Sequence, residues 1–222
     1  MIINKKLVKT LQDQINKNRL NFYWYITLEY HYKVTDLNKV SSDNERFRYV
    51  IRKFFRSDIR MWFFNEKHHN SEKVKGGYHR HVLMESIPED CWKSRSNQLD
   101  KILLDLDPSI IFGINFGDSP TDSQQTDLLD KVIRSFNKSI PNGKDAVDIE
   151  PITEEKGGVS GLLEYNTKDN WKYGERIEEV IDWDNSDCLN IDQLARLKNV
   201  RQNSIIDFTR HKNIFAGNHR TL

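Results

Sequence analysis

The sequence predicts an α+β fold, an antiparallel sheet of four to five strands with helices packed on one side. Short runs rich in aromatic and β-branched residues recur at 21–30, 61–69, 77–85 and 146–152. The segments between them place apolar residues at helical spacing. The resulting order, strand–helix–strand–strand–helix–strand, closes into an antiparallel sheet with crossover helices. A chain of 222 residues, 37% hydrophobic and 11% aromatic, can build one elaborated core. The expected division is one domain over residues 1–185, followed by a small, helical, basic appendage over 186–222.

Residues 21–30 (NFYWYITLEY) read as a buried first strand. Ser42, Asp43, Asn44 and Glu45 have the S-x-x-E form of a capping box, which predicts a helix start at Ser42. Beyond it Phe47, Val50, Ile51, Phe54, Phe55 and Ile59 recur at helical spacing, while Arg48, Arg52, Arg56 and Arg60 form an i, i+4 stripe on another face. The plainest reading of that stripe alone is a solvated helix surface. Residues 61–69 and 77–85 are joined by a polar stretch ending in Gly76-Gly77, so they form an antiparallel hairpin. Pro88 opens a helix supported by Trp92, Leu99, Ile102 and Leu103. Residues 109–116 fit a strand or a loop. Ser119-Pro120 opens a further helix through Leu128, Leu129, Val132, Ile133 and Phe136. Residues 146–152 form a short strand in which Pro151 marks an edge or an end. Gly157-Gly158 precede a helix over 159–170, and Asn190 caps a last helix containing Leu194, Leu197 and Val200.

A formal net charge of +1 hides segregation. Residues 1–60 carry 13 basic and 6 acidic side chains, and residues 194–222 carry 6 and 1. Residues 171–193 carry 2 and 7, so two basic ends flank an acidic middle. Such asymmetry is compatible with a phosphate-binding face but does not prove one. Cys91 and Cys188 lie far apart with no CxxC partner, which supports neither a disulfide framework nor a thiolate zinc site. No run approaches the roughly 20 apolar residues that span a bilayer, and residues 1–9 lack a signal-peptide core. A cytoplasmic protein without membrane partners is expected.

Three short motifs carry chemistry. In His79-Arg80-His81 on a strand, the two imidazoles point to one face and can chelate one ion. Short His-x-His pairs are frequent, so the partner strand matters. A hairpin register pairing Glu66 with residue 79 or 81 adds a carboxylate, giving an open N/O site suited to Mn²⁺ or Mg²⁺. His68 shares the parity of Glu66 and replaces it if the register slips by two. His69 points the other way and reads as solvent-exposed. In Tyr165-Asn166-Thr167-Lys168 on a helix, phenol and ammonium lie on one face. In isolation that pair reads as a core tyrosine with a surface lysine. Tyr25, Thr27 and Glu29 share one face of the first strand.

Together, in this order, ITLE (residues 26–29), GYHRHVLME (77–85) and GLLEYNTKDN (161–170) resemble the HUH endonuclease superfamily, most closely its rolling-circle replication initiators. The resemblance covers residues 21–170 and implies a ferredoxin-like, RRM-like core. It departs from the family at Arg80, where the middle residue is usually apolar; Arg80 is expected to snorkel to the rim or to pair with an acid. The resemblance implies metal-dependent nicking and joining of single-stranded DNA at an origin hairpin. Glu66, His79 and His81 would hold the metal, Tyr165 would be the nucleophile and Lys168 would stabilise developing charge. Thr27 and Tyr25 would support the site and contact DNA, and Arg48, Arg52 and Arg56 would contact its backbone. Tyr23, Trp24, Tyr30 and Tyr32 are candidates for stacking bases. No G-x-x-x-x-G-K-[ST] is present, so helicase and polymerase partners are expected to come from the host. Competing readings are a single-tyrosine transposase or relaxase, a non-catalytic nucleic-acid module stacking bases on Tyr25 and Tyr78, and a domain with no nucleic-acid role.

Overall fold

A computed structural model of the chain describes residues 2–69, 74–89, 91, 121–136, 146–190 and 192–194. The elements follow the order α1 (Ile2–Asn18), β1 (Phe22–Leu28), α2 (Leu37–Phe55), β2 (Met61–Lys67), β3 (Tyr78–Glu85), α3 (Asp122–Phe136), β4 (Val147–Pro151), α4 (Gly158–Asn166) and α5 (Ile177–Val180). A short 3₁₀ turn, Glu154–Lys156, precedes α4, and a π-helical segment, Asp169–Tyr173, comes after it. The four strands form one sheet in the order β2-β3-β1-β4, with every neighbouring pair antiparallel. The predicted α+β class and antiparallel sheet are therefore present.

The helices lie on both faces of the sheet, where one face was expected. Met61, Phe63, Val82, Met84, Trp24 and Ile26 pack with α2 and α3 on one face. Trp62, Phe64 and Leu83 pack on the other with Leu7 and Leu11 of α1 and Leu163 of α4. Strands apolar on both faces need cover on both. A bulge between Phe22 and Trp24 in β1 turns Phe22 to the α1 face while Trp24 faces α2.

Helix α1 is absent from the sequence reading, although Leu7 and Leu11, spaced one turn apart, are its two fully buried anchors. The capping-box prediction is corrected. Helix α2 begins five residues before Ser42, with Asp36 as N-cap accepting from the Asn38 amide at 2.9 Å. Its buried face starts at Val40 and continues through Asn44 and Phe47, so Ser42 and Glu45 sit mid-helix.

The hairpin forms as predicted. His68 N donates to Gly77 O at 2.9 Å, and Gly76 N donates to His68 O at 2.8 Å. A Cβ on Gly77 would sit 2.9 Å from the Val74 carbonyl oxygen, so the turn needs glycine there. Pro151 ends β4, an edge strand. Asn190 accepts from Gln193 N at 3.1 Å, and Leu194 is fully buried with α1. The described part of the expected appendage thus packs into the body of the fold. Asn190 N donates to Gln14 of α1 at 2.7 Å, and Trp62 Nε1 donates to Asp187 O at 2.7 Å. The predicted helix after Pro88 falls almost wholly outside the described residues, and the segment 109–116 and the chain beyond 194 do so entirely. No described helix is long and apolar enough to cross a membrane.

Candidate metal centre and tyrosine site

The β2–β3 register opposes Glu66 to His79 and Phe64 to His81. Glu66, His79 and His81 therefore project from one face, the one covered by α1 and α4. The two Nε2 atoms lie 3.1 Å apart. Glu66 Oε2 lies 3.1 Å from His81 Nε2 and 3.6 Å from His79 Nε2. Both histidines are buried.

Strand β1 holds His81 from behind. Thr27 pairs with His81 across the sheet, its Oγ1 3.1 Å from His81 Nδ1. The Tyr25 hydroxyl lies 2.8 Å from the same nitrogen, and its ring stacks on the imidazole at 5.4 Å between centroids. That hydroxyl donates to Asn166 Oδ1 at 3.0 Å. With its only proton so used, Tyr25 accepts from His81 Nδ1–H, a tautomer assigned from the hydrogen-bond network. The His81 Nε2 lone pair then faces a carboxylate oxygen, acceptor against acceptor. A cation between them resolves that arrangement.

Protonation agrees. Burial, reinforced by His79 and Lys168, pushes the His81 imidazole down to about 4 against the opposing pull of Glu66. Burial would raise the Glu66 carboxyl, but the polar groups of His79, His81 and Lys168 beside it outweigh burial and hold it well below the usual carboxylate range. Burial, then the potential of Tyr165 and Glu66, pushes the Tyr25 phenol well above its ordinary value, so it stays a neutral donor. Two imidazole nitrogens and one ionised carboxylate are a donor set that fits a divalent ion.

His68, the alternative ligand in the sequence, has a different place. Its Nε2 lies 3.1 Å from Glu29 Oε2 and its ring 4.4 Å from that of His79, making a second cluster of ligand-type groups around one shared histidine. His69 is only partly exposed, contrary to expectation. Its ring stacks on Tyr173 at 3.6 Å, and its Nε2 lies 3.3 Å from Asp169.

Helix α4 brings the second motif to the first. The Tyr165 ring meets His81 edge-on at 5.8 Å, and the residue is 47% exposed. Lys168 Nζ pairs with Glu66 Oε2 and lies 3.4 Å from the centre of the Tyr165 ring. The ammonium occupies the cation position beside Glu66. Five residues singled out from the sequence, Glu66, His79, His81, Tyr165 and Lys168, thus converge with Tyr25 and Thr27 behind them.

The arginine stripe lies elsewhere. Helix α2 packs on the opposite face of the sheet. Arg48 donates to Asn185 O at 3.0 Å and lies 3.5 Å from Asp187. Arg52 pairs with Asp187 at 2.8 Å and Asp58 at 3.1 Å, and donates to Ile59 O. Arg56 is exposed at the left-handed C-cap of α2. Of the stacking candidates, Trp24 and Tyr30 are core residues, Tyr23 donates to Asp122 at 2.8 Å and Tyr32 is exposed.

Arg80 does not snorkel. It is fully buried on the α2 face, 4.7 Å from the Tyr30 ring and 3.5 Å from Asn44 Oδ1, with Asp43 the nearby acid. Burial lowers its guanidinium from the ordinary value. Sequence reasoning missed Asn166, which anchors Tyr25, and Asp169, whose carboxylate accepts from Lys67 N at 3.0 Å. Both flank Lys168 and lie within the quoted motif string, but their burial is tertiary information. No protein-family model, curated protein or solved structure matches the chain.

Proposed function

We propose that the chain is a metal-dependent enzyme that nicks and rejoins single-stranded DNA through Tyr165, and that it initiates rolling-circle replication of a plasmid or phage. The supporting observation is the convergence of an open phenol, a cation-seeking His–His–Glu cluster and a lysine within one contact shell. Glu66, His79 and His81 would hold Mn²⁺ or Mg²⁺, which supplies Lewis-acid polarisation of a phosphate oxygen. Tyr165 Oη forms a bond to phosphorus as the bond from phosphorus to the 3′ oxygen breaks. The phenol loses its proton and the leaving oxygen gains one, yielding a 5′-phosphotyrosine and a free 3′-OH. Reversal by the 3′-OH rejoins the strand. Lys168, against the phenol ring, favours the phenolate and the charge building in the transition state. Tyr25, Thr27 and Asn166 fix the His81 tautomer and so would leave its Nε2 lone pair available to an ion.

The test is incubation with labelled single-stranded DNA from the region around its own gene, with Mn²⁺. A covalent protein–DNA adduct is expected from wild type, none from Tyr165→Phe, and none after EDTA. An adduct that survives Tyr165→Phe overturns the assignment.

A further inference from the structure

The segment after the Tyr165 helix inverts the usual arrangement of polar and apolar residues. In Asp169-Asn170-Trp171-Lys172-Tyr173 the two short polar residues are buried, at 2% and 1% exposure, while Trp171 is 42% and Tyr173 39% exposed. Folding alone favours the opposite pattern. Among the described residues, Tyr165, Trp171 and Tyr173 are three of only five large exposed apolar side chains, and they fall within nine residues. A local break with hydrophobic ordering, in a rigid element beside a reactive group, is the signature of a surface kept for a ligand.

The element is rigid because its polar residues bind inward. Asp169 accepts from the Lys67 amide of β2 at 3.0 Å and lies 3.3 Å from His69. Asn170 Nδ2 donates to Glu175 O at 2.8 Å, and the Thr167 hydroxyl donates to Leu163 O at 2.8 Å. The backbone runs as a π-helix ended by Gly174 at φ 79°. His69 backs the Tyr173 ring at 3.6 Å, and Lys172 Nζ lies 5.0 Å from its centre. The neighbouring carboxylates of Glu175 and Glu179 are taken up by Lys67 at 2.6 and 3.1 Å. The outer surface therefore carries the exposed Trp171 and Tyr173 rings, with the exposed Lys172 over the Tyr173 ring.

We propose that Trp171 and Tyr173 form a stacking platform for bases of single-stranded DNA next to the nucleotide held at Tyr165, with Lys172 contacting a phosphate between them. Trp171 follows Tyr165 by six positions, across the α4 C-cap at Thr167 and into the π-helical segment, so both rings belong to one short stretch of chain. Exposed rings beside an exposed ammonium suit a strand that carries both bases and phosphates. Stacking tolerates any base, so the platform holds the strand in place and does not read sequence. This inference rests on the nuclease reading of the same site.

The test uses the full chain and a fluorescein-labelled single strand spanning the nick, with affinity measured by anisotropy across a salt series. Trp171→Ala and Tyr173→Ala are each expected to weaken binding roughly tenfold at unchanged salt slope. Lys172→Ala should weaken it less and make the slope shallower by about 0.7. Trp171→Phe, which keeps a ring, should restore most of the affinity. The same DNA should quench tryptophan emission more in wild type than in Trp171→Phe. If wild type forms the Tyr165 adduct while Trp171→Ala and Tyr173→Ala bind as wild type does, the platform is wrong and the nuclease reading stands. If wild type neither binds nor forms the adduct, both fall.

Discussion

Lys168 has two partners that pull its role in different directions. It neutralises Glu66 and lies against the Tyr165 ring. A divalent ion on Glu66 would compete with that ammonium. Lys168→Met is therefore expected to raise Mn²⁺ affinity roughly tenfold by calorimetry, through lost charge repulsion, while slowing adduct formation. Weaker metal binding in that variant would mean the ammonium helps to assemble the cluster. At this scale the sequence was informative where strand parity governs, because spacing alone puts His79 and His81 on one face, while the register that sets Glu66 opposite His79 came from the structure. The sequence pointed to Thr27 and Tyr25 as supports but was silent on Asn166, since nothing local marks that residue as the acceptor that sets the Tyr25 proton and through it the imidazole tautomer. Arg80 shows the same limit. Its strand position is plain, but its burial over Tyr30 depends on α2, an element distant in sequence.

Among the elements, α2 departs most from its sequence signal. Periodicity found its apolar face, whereas the S-x-x-E string pointed to a false start because Val40 already belongs to the buried face. Arg48 and Arg52 of the arginine stripe act as a latch for the segment around Asp187. That carboxylate receives Arg48, Arg52 and the Met61 amide, the last at 2.8 Å. Asp187→Ala should lower stability by about 1–3 kcal/mol in urea unfolding, because it leaves the Met61 amide without its acceptor and takes one partner from each of two guanidinium groups. Arg48→Ala should cost about 0–1 kcal/mol. Equal losses would deny Asp187 its central place. If the stripe serves the latch alone, Arg48→Ala and Arg52→Ala will leave the salt slope of single-stranded DNA binding unchanged; a shallower slope would restore them as phosphate contacts.

For the molecule as a whole, the class, the sequence of elements along the chain and the presence of the hairpin were legible because two-residue and helical periodicities are local. The two-sided cover was not. Trp62, Phe64 and Leu83 announce a second buried face only once α1 and α4 are known to lie on it. Lys67, at the end of β2, ties this layer to Glu175 and Glu179. Burial would raise the Glu179 carboxyl, yet hydrogen bonds with Glu175, Arg176 and Lys67 hold it down to about 2. A carboxyl so depressed contributes stability that is present above its unfolded value of 4.5 and is lost as pH falls to about 2. Acid unfolding should thus cost wild type more stability between those limits than it costs Lys67→Met. Identical acid profiles would show that the lysine contributes nothing to that linkage.

The free side of β2 is closed by the chain downstream of α4. Asp182 N donates to Phe63 O at 3.1 Å, Asp187 N to Met61 O at 2.9 Å and Phe63 N to the Ser186 hydroxyl at 2.9 Å, with Asp169 on the Lys67 amide. The strand beneath, MWFFNEK, is a run of the kind that templates cross-β assembly when its edge is bare. Residues 181–187 therefore act as a built-in guard against aggregation. A chain cut before residue 181 would carry the whole metal centre and tyrosine, yet expose an adhesive edge. Its expected failure in solution is polymerisation.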